Sequence, residues 1–283
     1  MTEPRTGNGE YNYDRFSPAT MLGEVRSYPA LAPKPGEPAP SFSLRDTTGR
    51  EWRLADLRDQ PVVLIIGSSS CPLTLGSAPA LNEVHEDLGQ HAHWVTLYVR
   101  EAHPGENLPV HETYEQKAEQ ARFLKRTEGI PWPVLVDELD GAIHHAYGMM
   151  PNSVFVIGTD GRISFREKIA HAPTVRRALD ELVASGGQGT VLGGDDGGIH
   201  MLGAMAYGWR AIEQAGDESV RDVALKLPPL AANLWLGQKL APVLDPLARR
   251  STRLPATVRG GITMAAAVLA GLGTWAAVRR LRR

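Results

Sequence analysis

The sequence predicts an α/β fold with a helical C-terminal extension, and three observations carry that expectation. Two continuous apolar runs of strand length, "PVVLIIG" at 61–67 and "HWVTLYV" at 93–99, read as strands buried on both faces. Between them Leu81, Val84 and Leu88 recur at helical spacing. The continuing order of helix, strand, hairpin and helix is that of a layered α/β protein. With 283 residues, 42% of them hydrophobic, the chain can bury a full core and still carry an appendage.

Residues 1–35 read as an extended lead-in, within the approach to the proline-rich "ALAPKPGEPAP". The predicted domain covers 36–185. It begins with "SFSLRDTTGREWRL", two short strands around a turn at Asp46–Gly49. Thr113 and Gln116 form a capping box ahead of the helix "YEQKAEQARFLKR". "PVLVD" is a third strand, "SVFVIGTDGRISFREKI" a hairpin turning near Asp160–Gly161, and "TVRRALDELVAS" a closing helix. Residues 186–199 are glycine-rich, break all periodicity and mark a linker. Residues 200–259 form a helical extension, including "HMLGAMAYGWRAIEQAG" and "LAANLWLGQKLAPVL".

Gly260 to Val278 is a run of nineteen residues without a charge, long enough to span a bilayer, followed by the basic tail 279–283. This predicts membrane association through the C-terminus, with the preceding domain in the cytoplasm. The polar N-terminus predicts no secretory signal. A net charge of −2 offers no electrostatic footprint for nucleic acid. The histidines at 91, 93, 144, 145 and 171 lack the spacing of a metal set, so no metal is expected.

"GSSSCPLT" at 67–74 holds the only cysteine, which excludes an intrachain disulfide. Cys71 falls just past a buried strand and just before a helix with Pro72 at its first position. Helix N-terminal amides favour a thiolate. The hydroxyls of Ser68, Ser69 and Ser70 are candidates to stabilise it further. The carboxyl ends of strands are also where open α/β sheets place ligands. Cys71 therefore reads as a reactive nucleophile of lowered pKa rather than an inert buried thiol.

The order of strand, Cys-Pro, helix and late hairpin resembles the thioredoxin-like fold. "GSSSCP" further resembles the Gly-Ser-x-x-U-Pro stretch of the iodothyronine deiodinase family, with cysteine at the selenocysteine position. "YVREAHP" (98–104), "HETYEQKAEQAR" (111–122) and "HHAYG" are similar to further stretches of that family. The resemblance implies Cys71 as the nucleophile, with Glu101, His103 and His111 moving protons or polarising a small-molecule substrate, and Tyr98 nearby. It implies Pro151, in "MMPNSVF", as the cis-proline that faces the thiol. The chain departs from the family in having serine at 69, where a helper cysteine can stand. With no second cysteine, no bound cofactor is implied. An oxidised Cys71 would need an external thiol such as glutathione, or a reductase protein such as thioredoxin. The family's membrane segment precedes its catalytic domain, whereas the candidate here follows it. A homodimer is compatible with this reading.

Two other readings stand beside reductive deiodination. A one-cysteine peroxiredoxin-like peroxidase is similar in how its domain begins, but Leu64 and Ser68 occupy the proline and threonine positions of the peroxidatic pattern. A non-catalytic thioredoxin-fold binding module tethered to a membrane is the third. A Cys-x-x-Cys disulfide oxidoreductase would require cysteine at Thr74.

Overall fold

Alternating side chains on one central strand explain the layers of the domain. In the computed structural model, which describes residues 11–193 and 201–252, the strand Val62–Gly67 is buried along its whole length. Its Val63 and Ile65 enter one apolar layer, while Val62, Leu64 and Ile66 enter the opposite one. The elements of the domain in chain order are α1 (Pro18–Leu31), β1 (Ser43–Arg45), β2 (Glu51–Arg53), β3 (Val62–Gly67), α2 (Pro72–Leu88) and β4 (His93–Tyr98). They continue with α3 (Tyr114–Thr127), β5 (Val134–Val136), α4 (Ala142–Ala146), β6 (Val154–Ile157), β7 (Ile163–Glu167) and α5 (Ala172–Ala184).

The main sheet has the order β5-β4-β3-β6-β7. β3, β4 and β5 are parallel, whereas β6 and β7 run antiparallel to their neighbours. This is the mixed sheet of a thioredoxin-like fold, as the sequence predicts. Helices α2, α3 and α5 supply Leu81, Leu124 and Leu179 to one face. The other face is closed by Tyr28 of α1, Leu44 of the β1–β2 hairpin and Ile143 of α4. The capping box at Thr113 and Gln116 is formed in both directions.

Beyond the domain lie α6 (Met201–Ala215), α7 (Asp217–Lys226), α8 (Pro228–Lys239) and α9 (Ala241–Ala248). Helix α6 lies directly on α2, because both helices present glycine at the crossing. A Cβ on Gly76 would come 2.4 Å from the Ala204 amide nitrogen, and one on Gly203 would come 2.2 Å from the Gly76 carbonyl oxygen. Phe16 joins Trp209, Ile212, Val223 and Leu234 in an apolar cluster that couples the N-terminal segment to the extension.

Two expectations change, and a third lies outside the described residues. The lead-in is not extended throughout, since residues 18–31 form α1, capped by the Ser17 hydroxyl 3.3 Å from the Thr20 amide. The helix is anchored by tertiary contact: Tyr28 is buried and its hydroxyl donates to the Glu167 carbonyl at 3.2 Å. Pro151 is trans, because no peptide bond among the described residues is cis. No helix among the described residues is long and apolar enough to cross a membrane, and the candidate span at 260–278 lies outside them.

Candidate active site

The turn after β3 is shaped around Thr74. A Cβ on Gly67 would stand 2.9 Å from the Thr74 methyl, so glycine lets Thr74 fold back beneath the loop, where its hydroxyl accepts from the Ser68 amide at 3.4 Å. Cys71 caps α2, with Pro72 in the first turn. The thiol is 2% exposed. Burial pushes the thiol pKa up, outweighing hydrogen bonds from the Thr74 hydroxyl and from the Thr74 and Leu73 amides, and Glu101 adds to the upward push. The helix N-terminus acts as the sequence predicts, but desolvation wins, so the expected lowering of the pKa does not occur.

The serines are not thiolate donors in this structure. Ser70 donates its hydroxyl and its amide to Glu101 Oε2, at 2.5 and 2.7 Å, and its hydroxyl accepts from the His103 amide at 2.9 Å. Ser69 donates to the Gln120 carbonyl at 3.1 Å and lies 3.0 Å from the Tyr98 hydroxyl. Ser68 Oγ is buried without a hydrogen-bond partner among the described residues. Ser69 and Ser70 instead hold the Cys71 loop onto the segment 98–103.

Glu101 is the hub of that segment. Tyr98 donates to its Oε1 in a short hydrogen bond, and His111 Nε2 lies 3.8 Å from the same oxygen. His111 also sits 2.8 Å from Gln120 Oε1, and the Gln120 amide donates to the Pro109 carbonyl. Burial raises the Glu101 pKa despite hydrogen bonds from Ser70, Tyr98 and the Ser69 backbone. Burial, reinforced by the Glu101 charge, raises that of Tyr98 well above its usual value. Burial pushes His103 and His111 down to about 3, so both imidazoles are neutral at neutral pH. They cannot act there as imidazolium acids, which corrects the role expected of them as ready proton donors.

Cys71 opens onto a cavity of about 320 Å³ whose surface is almost wholly apolar. Leu73, Met150, Pro151 and Ile169 line it from the domain, Met21 and Val25 from α1, and Leu230 and Leu234 from α8. Its polar groups are Tyr13, Glu24, His103 and Lys168. His103 stacks on Phe16 with ring centroids 4.4 Å apart, and its Nδ1 is buried without a partner among the described residues. The structure thus brings Cys71, His103 and Pro151 to one cavity. Tyr98, Glu101, His111, Ser69 and Ser70 gather in a buried network behind the Cys71 loop. Among the described residues no group of three or more His, Cys, Asp or Glu side chains is placed to hold a metal ion.

Sequence reasoning missed Thr74 as a partner of the thiol, Gln120 as the partner of His111, and every cavity residue on α1 and α8. It also missed Arg100, a buried cation that donates to Glu24 and to the Tyr11 carbonyl. Arginine inside a run of strand and site residues is the one signal that could have found it.

Comparison with known proteins finds the following similarities. Residues 35–166 match the AhpC/TSA family. A stretch of 129 residues is 27% identical to the type II iodothyronine deiodinase of Fundulus heteroclitus, covering 40% of this chain and 48% of that protein. A stretch of the same length is 28% identical to the thiol-disulfide oxidoreductase ResA of Geobacillus thermodenitrificans, covering 45% of this chain and 66% of that one. The matches therefore span 48% and 66% of these relatives' own lengths. A putative thiol:disulfide interchange protein DsbE from Chlorobium tepidum, of known structure, is 18% identical with a TM-score of 0.42, over 54% of this chain and 98% of that one. Residues 35–166 are thus similar to the AhpC/TSA family, and their mixed sheet is that of a thioredoxin-like fold.

Proposed function

We propose that the protein is a single-cysteine, thiol-dependent reductase of an apolar small molecule. The observation that carries this reading is the position of Cys71 at a helix N-terminus on the wall of an apolar cavity. Such a cavity desolvates both the thiol and its electrophile.

The first reading is reductive dehalogenation of an aromatic iodide, supported by the motifs shared with deiodinases and by the deiodinase relative. The Cys71 sulfur attacks iodine, the carbon–iodine bond breaks, and the aryl carbon takes a proton. A thiol then displaces iodide to form a mixed disulfide, and a second thiol releases Cys71. The AhpC/TSA match favours a second reading on the same site, in which the electrophile is the terminal oxygen of an organic hydroperoxide. Cys71 then becomes a sulfenic acid and an alcohol leaves. In either case the thiol proton must leave the sulfur; the neutral imidazole of His103, its Nδ1 unpartnered among the described residues, lines the same cavity and is placed to hydrogen-bond the substrate rather than to carry a full charge. Glu101, protonated more readily than an ordinary carboxyl, holds the loop that carries Cys71 through Ser70, and His111 lies behind it against Gln120.

The test is a dithiothreitol-driven assay of wild type and Cys71→Ser against iodinated phenols and organic hydroperoxides. The wild type is expected to turn over one of the two classes and Cys71→Ser neither. Equal activity of the two proteins would remove the nucleophile, and inactivity of both would favour a binding module.

A further inference from the structure

For a thiol to reduce an oxidised cysteine, its sulfur must come within bonding distance of the cysteine sulfur, about 2.05 Å in the disulfide formed. In this protein three segments stand between Cys71 and a macromolecular partner. Phe16 and Met21 come from the N-terminal side, Ala204 from α6, and Leu230 and Leu234 from α8. This roof is tightly packed. A Cβ on Gly208 would lie 2.8 Å from Cβ of Pro72, so the α6 backbone rests on the residue that follows the cysteine. The N-terminal segment is tied to the extension by Arg15, which donates to both oxygens of Asp222 at 2.7 and 2.5 Å, and by Lys226, which donates to the Phe16 carbonyl at 2.8 Å. The space left beside Cys71, about 320 Å³, is of the size that takes a small molecule.

We propose that oxidised Cys71 is regenerated by a low-molecular-weight thiol, and that the roof closes it both to thioredoxin-like proteins and to the Cys71 of a second copy. The inference rests on the reading of Cys71 as the redox nucleophile and specifies the co-substrate of that site. Starting from the sulfenic acid, a first small thiol forms an S–S bond as the S–O bond breaks, and the oxygen leaves as water. A second thiol attacks the sulfur of the bound thiol, forming a small disulfide, and Cys71 departs and takes up a proton. Two thiols are oxidised and Cys71 is reduced by two electrons.

The test uses the full chain, with Cys71 converted to its S-methyl disulfide by methyl methanethiosulfonate, a reagent that fits the cavity. Intact mass then follows loss of the methylthio group on addition of glutathione, or of thioredoxin kept reduced by its reductase, at equal thiol concentration. Glutathione is expected to act at least about tenfold faster than thioredoxin, an inversion of the order expected at an exposed disulfide. Thioredoxin acting as fast or faster would overturn the proposal, as would a Cys71-linked dimer formed by oxidation of the native protein. Failure of the nucleophile reading would show separately, as equal activity of wild type and Cys71→Ser, and would leave this rate ratio untouched.

Discussion

Burial sets the protonation states around Cys71 more strongly than any single neighbour does. His103 is held down to about 3 from an ordinary 6.5 by desolvation. Its folded pKa is depressed, so below the unfolded value the unfolded chain binds a proton that the folded chain refuses. The stability it contributes is full above about 6.5 and is lost as pH falls towards 3, at about 1.4 kcal/mol per pH unit. His103→Phe removes this slope. In urea unfolding, its stability relative to wild type should improve by about 2 kcal/mol between about pH 7 and about pH 5. A constant difference across that range would contradict the burial of a neutral imidazole. Glu101 has the opposite sign: its raised pKa gives stability that is present below the unfolded value and is lost as pH rises through the folded one. At the thiol, Thr74 is the side chain that offsets desolvation. Thr74→Val should slow iodoacetamide labelling of Cys71 by about two- to tenfold and move the midpoint of its pH profile upward. The reactive position was legible from Cys71 and Pro72, because strand end, proline and helix start are local signals. The partnerships of Thr74 and Gln120 were not, since the first depends on the loop closing over Gly67 and the second on how α3 docks.

At the scale of elements, legibility followed the source of stabilisation. β3 and β4 could be read directly because both faces of each are covered, which leaves a continuous apolar run. α3 was marked by its capping box, a signal contained within a few residues. α1 has no comparable apolar stripe. It exists because Tyr28 packs under β6 and β7, with its ring centroid 6.4 Å from that of Phe155. The α2–α6 crossing was equally hidden, because glycine inside a helix reads as a weakness until a partner backbone is seen against it. Gly76→Ala should raise helix propensity by about 1 kcal/mol yet destabilise the protein, because the added Cβ meets the α6 backbone rather than a movable side chain. A net loss of about 1–2 kcal/mol in urea unfolding is expected, with faster labelling of Cys71 as α6 is pushed away. A stabilised variant would show that the two helices are not held in contact.

Over the whole molecule, the chain after the thioredoxin-like domain returns to cover the candidate active site, and the chain before it meets the extension there. Neither segment shows this in the sequence. The helical character of 201–248 was legible, but the surface it would cover was not, because Arg15 and Asp222 are 207 residues apart. Asp222 is the fastening point: it accepts from Arg15 and from Lys226, at 3.0 Å for the lysine, and its side chain is 4% exposed. Both cations reach water, so removing the carboxylate strands no buried charge, and the cost of Asp222→Ala should be modest, about 1–2 kcal/mol. That cost falls on the contact between the N-terminal segment and α7 rather than on the central sheet. It should therefore appear as local opening of the roof. A loss of 1–2 kcal/mol makes the open form about five- to thirtyfold more populated. Cys71 labelling by a bulky maleimide should accelerate by about that factor, while urea unfolding of the sheet stays nearly unchanged. Glu51→Ala, which breaks an exposed ion pair with Arg53 on β2, is the control and should label at the wild-type rate. If Asp222→Ala also labels at the wild-type rate, access to Cys71 does not depend on the clasp between Arg15 and α7.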